Sequence, residues 1–198
     1  MPTAAALILF LALGTNTADA PRGEPIPECC AAKLSWTDLT GRARNLESYR
    51  GEFLVLNFWA TWCLPCREEL PELIEIQNRY GIFGVQVVGA SADTADHRAD
   101  VLELAREFEL NFPVLLGADS AQMEVLGLGD AIPATVIVDP DGNIVERFPG
   151  VFKLRQLENV LDDLIDVDEP VRHAALDHDH DHDDAHEHSG GVGSLVPS

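Results

Sequence analysis

From Phe53 to Trp59 the chain is almost continuously apolar and rich in β-formers, and a few residues later Leu70, Leu73 and Ile74 fall on one face of a helix. A strand without polar alternation is covered on both faces, which points to a sheet with helices packed on it. The alternation continues along the chain. Val85 to Ala90 predicts a second buried strand, and Val101, Leu104, Ala105 and Phe108 recur at helical spacing. Val114 to Leu116 is a short strand candidate entered through Phe112-Pro113. Ala134 to Val138 and Ile144 to Phe148 flank Asp139-Pro140-Asp141-Gly142-Asn143, the turn of a hairpin. Leu157, Val160, Leu161, Leu164 and Ile165 form the stripe of a closing amphipathic helix. Strands alternating with helices imply a parallel arrangement, and the late hairpin adds an antiparallel edge. Upstream, Leu34 to Thr37 and the turn at Gly41 predict a short N-terminal hairpin.

The ends have a different character. Ala4 to Leu13 is an unbroken apolar run followed by Ala18-Asp19-Ala20, a small-x-small pattern. Ten residues at about 1.5 Å each fall short of about 30 Å of hydrocarbon. The segment therefore reads as a secretory signal over residues 1–20, although no Lys or Arg precedes the run. An uncleaved anchor is the other reading. Residues 21–33, with three prolines, read as a linker, and residues 34–168 as the domain. Residues 169–198 are rich in Asp, His, Gly and Ser and too poor in apolar side chains to offset their ordering entropy, so they read as a disordered tail. The formal net charge is −21, of which −8 falls within residues 166–188. Such a chain repels phosphate backbones and anionic headgroups, which excludes nucleic acid and, for the mature domain, membrane surfaces as partners.

The chemistry lies in Trp62-Cys63-Leu64-Pro65-Cys66, placed where the buried strand ends and the helix starts. The first N–H groups of a helix lack intrahelical partners and carry partial positive charge, so a thiolate there is stabilised. Pro65 fits the first turn, where its missing N–H costs nothing. Cys63 is thus the expected exposed attacking thiolate and Cys66 the resolving thiol nearer the interior, acting through a mixed disulfide. Half of a zinc site is the bland alternative, but Cys29 and Cys30 are adjacent and make a poor second half. Adjacent cysteines rarely bond to each other. Linkage to another chain, soft-metal binding and electron relay to Cys63 and Cys66 all stay open for them.

Asn57-Phe58-Trp59-Ala60-Thr61-Trp62-Cys63-Leu64-Pro65-Cys66, with Pro71 five residues on, resembles the thioredoxin superfamily signature, and more narrowly the TlpA/ResA-type exported thiol–disulfide oxidoreductases. The similarity runs from about Leu34 to Ile165. It implies a thioredoxin-like α/β fold, a central mixed β-sheet flanked by helices. It also implies a cis proline beside the cysteines, carried here by Pro133 in Ile132-Pro133-Ala134-Thr135. Ile132 would then offer its backbone to an extended substrate, with Trp62 shaping the rim around Cys63. Thioredoxin proper has a buried acid where this chain has Asn57. The ResA-like subgroup carries an acid three residues after its second cysteine, which here is Glu69. Three residues apart on a helix are neighbours, so Glu69 is either a proton relay for the pair or an exposed acid that favours the helix N-terminus. Asp93 is expected to cap the helix that follows it.

The tail holds His178, His180, His182, His186 and His188 among acids. Imidazole suits zinc, copper and nickel, so a flexible Cu or Zn site is one reading and a pH-responsive solubilising tail the other. The resemblance implies an enzyme with no required cofactor, exchanging electrons with protein thiols or disulfides and drawing on a dithiol donor. Reduction of cytochrome c or copper-site thiols, outside the cytoplasm, is the activity expected. The alternatives are a metallochaperone using Cys63, Cys66 and the histidine tail, and a peroxidase. Peroxiredoxins place a Thr three residues before a lone attacking Cys. Here that position is Ala60, and Cys66 follows.

Overall fold

A computed structural model describes residues 23–31 and 33–165. The segment read as a secretory signal, the tail and the five tail histidines lie outside the described residues. The central strand β4 (Phe53–Trp59) pairs in parallel with β5 (Val85–Ser91) and antiparallel with β7 (Ala134–Val138). β6 (Val114–Leu116) lies parallel to β5, and β8 (Asn143–Pro149) closes a hairpin onto β7. β2 (Ser35–Asp38) and β3 (Ala43–Asn45) form the expected N-terminal hairpin, docked antiparallel on β6. The last strand, β1 (Glu24–Pro25), pairs with β8, giving one eight-stranded mixed sheet in the order β1-β8-β7-β4-β5-β6-β2-β3. The thioredoxin-like fold is thus in place.

The pleat of β4 explains why its sequence is apolar throughout. Successive side chains point to opposite faces. Val55 and Trp59 enter one buried cluster, together with Cys63, Cys66, Leu70 and Leu73 of α2 (Leu64–Tyr80) and Leu157 and Leu161 of α5 (Leu154–Leu164). Leu54, Leu56 and Phe58 enter a second cluster on the other face with Leu34, Trp36, Met123 and Leu126. Asn57 shares the α2 face, fully buried, and its amide donates to Thr135 Oγ1 on β7 at 2.9 Å. Among the described residues no helix is long and apolar enough to cross a membrane.

Three sequence expectations change. The stretch read as a linker contributes β1 and a helical turn, α1 (Glu28–Ala31), and Ile26 packs against the second cluster. Pro25 is compatible with pairing because it sits on an edge strand, where a missing N–H breaks no inner ladder. A short helix, α4 (Ser120–Val125), also went unforeseen, although Asp119 and Gln122 form its capping box. Gln122 spans the hairpin, accepting from Trp36 Nε1 at 2.8 Å and donating to the carbonyls of Lys33 and Ser35. Asp93, finally, caps nothing. The turn before α3 (Arg98–Glu107) has Thr94 as its N-cap, and Asp93 is turned back toward β4.

Gly89 shows how tightly the sheet and the cysteine loop are packed. It pairs with Asn57 across β4–β5, and a Cβ there would lie 2.8 Å from Trp59 Nε1 and 3.3 Å from the Phe112 ring. Trp59 is fully buried and cannot yield cheaply. Gly89→Ala should lower the unfolding free energy by about 1–3 kcal/mol in a urea titration of the oxidised protein. An unchanged midpoint would show that Trp59 repacks freely.

Candidate redox site

The cysteine pair lies at the C-terminal end of β4. Cys63 is the N-cap of α2, with extended backbone, and its Sγ accepts from the Cys66 N–H at 3.3 Å. A serine, threonine or aspartate oxygen usually holds that place; here a sulfur takes it. Pro65 lies in the first turn, as its ring requires. Cys63 and Cys66 are joined as a disulfide. The interior order is as expected, with Cys66 1% exposed, yet Cys63 is itself only 6% exposed. Its sulfur is drawn inward to its partner. The exposed features are instead its neighbours, Trp62 at 71% and Leu64 at 64%.

The loop entering the helix is held from β5. Asp93, buried at the end of that strand, accepts from Thr61 N at 2.9 Å, from Thr61 Oγ1 at 2.6 Å and from Ser91 Oγ at 2.7 Å. Ala92 N donates to Trp59 O. Two residues before Cys63 the chain is therefore fixed by a charged acceptor, whose hydrogen bonds are roughly twice as strong as neutral ones. Nothing in the sequence announces this contact, because 32 positions separate its two ends.

Pro133 is buried, and the Ile132–Pro133 bond is cis. Ile132 is half-buried against both core clusters, the first of which contains Cys63 and Cys66. Pro133 O accepts from Gly150 N, tying this loop to the end of β8. The structure thus brings Cys63, Cys66, Trp62 and Ile132 to one end of the sheet.

Glu69 answers a choice the sequence left open. It is 3% exposed, one turn of α2 beyond Cys66, and its Oε1 accepts from Phe152 N at 2.8 Å. Oε2 is buried without a hydrogen-bond partner. Burial pushes its carboxyl up to about 7; the Phe152 N–H opposes this, the nearby Glu72 adds to it, and the Asn57 amide opposes it slightly. An acid so placed holds or releases a proton near neutral pH, the range in which thiols exchange. Phe152 is the residue sequence reading missed, since its contribution is a backbone N–H.

Among the described residues no cluster of three or more His, Cys, Asp or Glu could hold a metal. Ala60 is fully buried and hydroxyl-free at the position where the peroxidase pattern needs its Thr, and Cys63 is paired to Cys66.

A sequence profile of the AhpC/TSA family matches residues 23–147. The chain belongs to the AhpC/TSA family. Within it, the chain is similar to the thiol–disulfide oxidoreductase ResA of Bacillus thuringiensis strain Al Hakam, 34% identical over 63% of this chain and 70% of that protein. ResA of Geobacillus kaustophilus is 27% identical over 83% of this chain and 94% of its own length. Among solved structures, DsbF of Mycobacterium tuberculosis, described in mixed oxidised and reduced forms, shares 26% identity at a TM-score of 0.59, covering 70% of this chain and 98% of that one. The DsbE-like protein of Chlorobium tepidum matches the fold with a TM-score of 0.61 and 24% identity, over 72% of this chain and 96% of its own. This is a ResA-like member of the thioredoxin superfamily, an oxidoreductase of thiols and disulfides.

The raised Glu69 carboxyl has a consequence for stability. Its folded value of about 7 lies above the ordinary 4.5, so the unfolded chain gives up this proton first. Folding stability from this group is therefore full at low pH and is lost as pH rises from 4.5 through 7. Glu69→Gln removes that loss. Its stability relative to the parent should improve by about 3 kcal/mol between pH 4 and pH 8, at about 1.4 kcal/mol per pH unit, read from urea midpoints. A constant difference across this range would mean that Glu69 is ordinarily ionised.

Proposed function

We propose that the chain is an exported reductant of protein disulfides, using the Cys63/Cys66 dithiol and Glu69 as the proton acceptor for Cys66. The observation that carries this reading is the buried Glu69 carboxylate one helical turn from a cysteine pair whose first sulfur caps α2. In the reduced protein the Cys63 thiolate attacks one sulfur of the partner disulfide. The partner S–S bond breaks, a mixed disulfide forms, and the partner's first sulfur leaves as a thiolate. Cys66 then passes its proton to Glu69, and its thiolate attacks Cys63 Sγ. The Cys63–Cys66 bond forms, and the partner's second thiolate leaves and takes up a proton from Glu69 or water. Two electrons and the Cys66 proton pass to the partner, whose first thiolate takes its own proton from water. A dithiol donor reverses the steps and restores the protein.

Several features favour export. Residues 1–20 carry the pattern of a secretory signal. A structural neighbour at 21% identity is described as a secreted disulfide oxidoreductase of Mycobacterium tuberculosis homologous to DsbE. The partners we propose are cytochrome c or copper-site thiols, reached by an extended segment lying along Ile132 with its cysteine against Cys63. Trp62 and Leu64 give such a segment an apolar rim.

The reduction potential of the Cys63–Cys66 couple tests the direction. In protein lacking Cys29, Cys30 and the tail, equilibrated with glutathione or dithiothreitol buffers, we expect a value near or below about −250 mV. A value near about −120 mV would make the protein a disulfide donor and overturn the proposal.

A further inference from the structure

Glu69 has a companion. Glu72 lies one turn further along the same face of α2, and its Oε2, like Glu69 Oε2, is buried without a hydrogen-bond partner. Both carboxyls turn toward the start of α5. Phe152 N donates to Glu69 at 2.8 Å, and the Leu154 N–H lies near enough to Glu72 to oppose the upward push of burial on its carboxyl. α5 needs such help because its N-cap is Lys153, which has no acceptor in its side chain. The first N–H groups of a helix require acceptors from somewhere, and the helix dipole favours negative charge there. Here α2 brings two carboxyls to this end of the helix, Glu69 accepting from the N–H just before the N-cap. Locally, Gln156 Oε1 accepts from Lys153 N, and Lys153 O accepts from Gln156 N.

Two carboxylates one turn apart, each with one oxygen stranded in the interior, are unfavourable if both are charged. A single proton relieves the conflict. It leaves one negative charge on the pair, set against the positive end of α5. We propose that Glu69 and Glu72 act as one diacid sharing a proton at neutral pH, and that Glu72 is a positioning residue that sets how readily Glu69 accepts the proton of Cys66. The proposal rests on the reading of Glu69 as the proton acceptor and adds the group that regulates it.

Burial is the largest push on both carboxyls, and the charges that add to it run along α2. On α2, Glu75 follows Glu72 by one turn and reinforces the upward push on Glu72, while Glu68 is exposed. From α5 come Lys153 and Arg155, both exposed, and Glu158, which is ion-paired to Arg79. Asp162, further along α5, accepts from the Tyr80 hydroxyl. β4 and β7 contribute only the neutral Asn57 and Thr135. The charge that weighs on Glu69 is that of Glu72.

The test is a carboxyl-carbon NMR titration of the oxidised full-length protein, labelled at the glutamate side chains, from pH 4 to pH 9. Glu72→Gln keeps the size and the side-chain oxygen but removes the charge. It should lower the Glu69 midpoint by about one pH unit, raising the ionised fraction of Glu69 near pH 6.5 about threefold. Reciprocally, Glu69→Gln should lower the Glu72 midpoint, since coupled sites shift each other. That second variant decides the matter if Glu72→Gln does not fold. A Glu69 midpoint that is the same with Glu72 or Gln, or a Glu72 midpoint indifferent to Glu69→Gln, would overturn the proposal. The titration needs no partner protein and no reduced cysteine. Its failure is therefore distinct from failure of the reductant reading, which the potential alone decides.

Discussion

The site depends on the junction at which β4 gives way to α2. A buried strand fixes the height and direction at which the chain leaves the sheet, and the helix that follows presents its unpaired N–H groups at that point. Cys63 stands there as the N-cap, accepting from Cys66 N. The same contact that starts the helix thus brings the two sulfurs within bonding reach and favours negative charge on the first. Everything else supports the junction. Asp93 clamps Thr61 from β5, Trp59 fills the space under Gly89, and the Pro133 loop closes the end of the sheet.

A second helix junction places the acid that the proposed mechanism uses. The N-cap of α5, Lys153, has no acceptor in its side chain, and the N–H just before it, of Phe152, turns to the Glu69 carboxyl of α2. That arrangement buries Glu69 next to the cysteine helix turn and raises its carboxyl toward neutrality. In the proposed mechanism the side chain that joins the two helices is also the one that takes the proton of thiol exchange. Asn57, in the strand position where an acid would be an alternative, is a neutral amide that donates to Thr135 and faces Glu69.

Much of this was legible in the residues themselves. The β4 run, the helical stripe of Leu157 and Leu161 and the turn at Asp139–Asn143 each declare their state through a period or a turn signal that local sequence carries. So does the cysteine pair, because its meaning follows from standing between strand and helix. The burial of Glu69 was not legible, since it depends on α5 arriving from 83 residues away with its Phe152 N–H. Asp93 looked like a helix cap because its neighbourhood is local loop sequence, while its carboxylate is taken up by Thr61 of the loop between β4 and α2. β1 was hidden for another reason. A two-residue edge strand containing Pro25 carries too little pattern to stand out from a linker.

The central claim is that the start of α2 makes Cys63 the activated thiolate. The direct test is the pH dependence of alkylation of the reduced protein, with the modified cysteine located by mass spectrometry. The account predicts that Cys63 reacts first, with a midpoint well below the ordinary thiol value of about 8.5, while Cys66 stays protected. Reaction at Cys66 first, or a Cys63 midpoint at about 8.5, would contradict it.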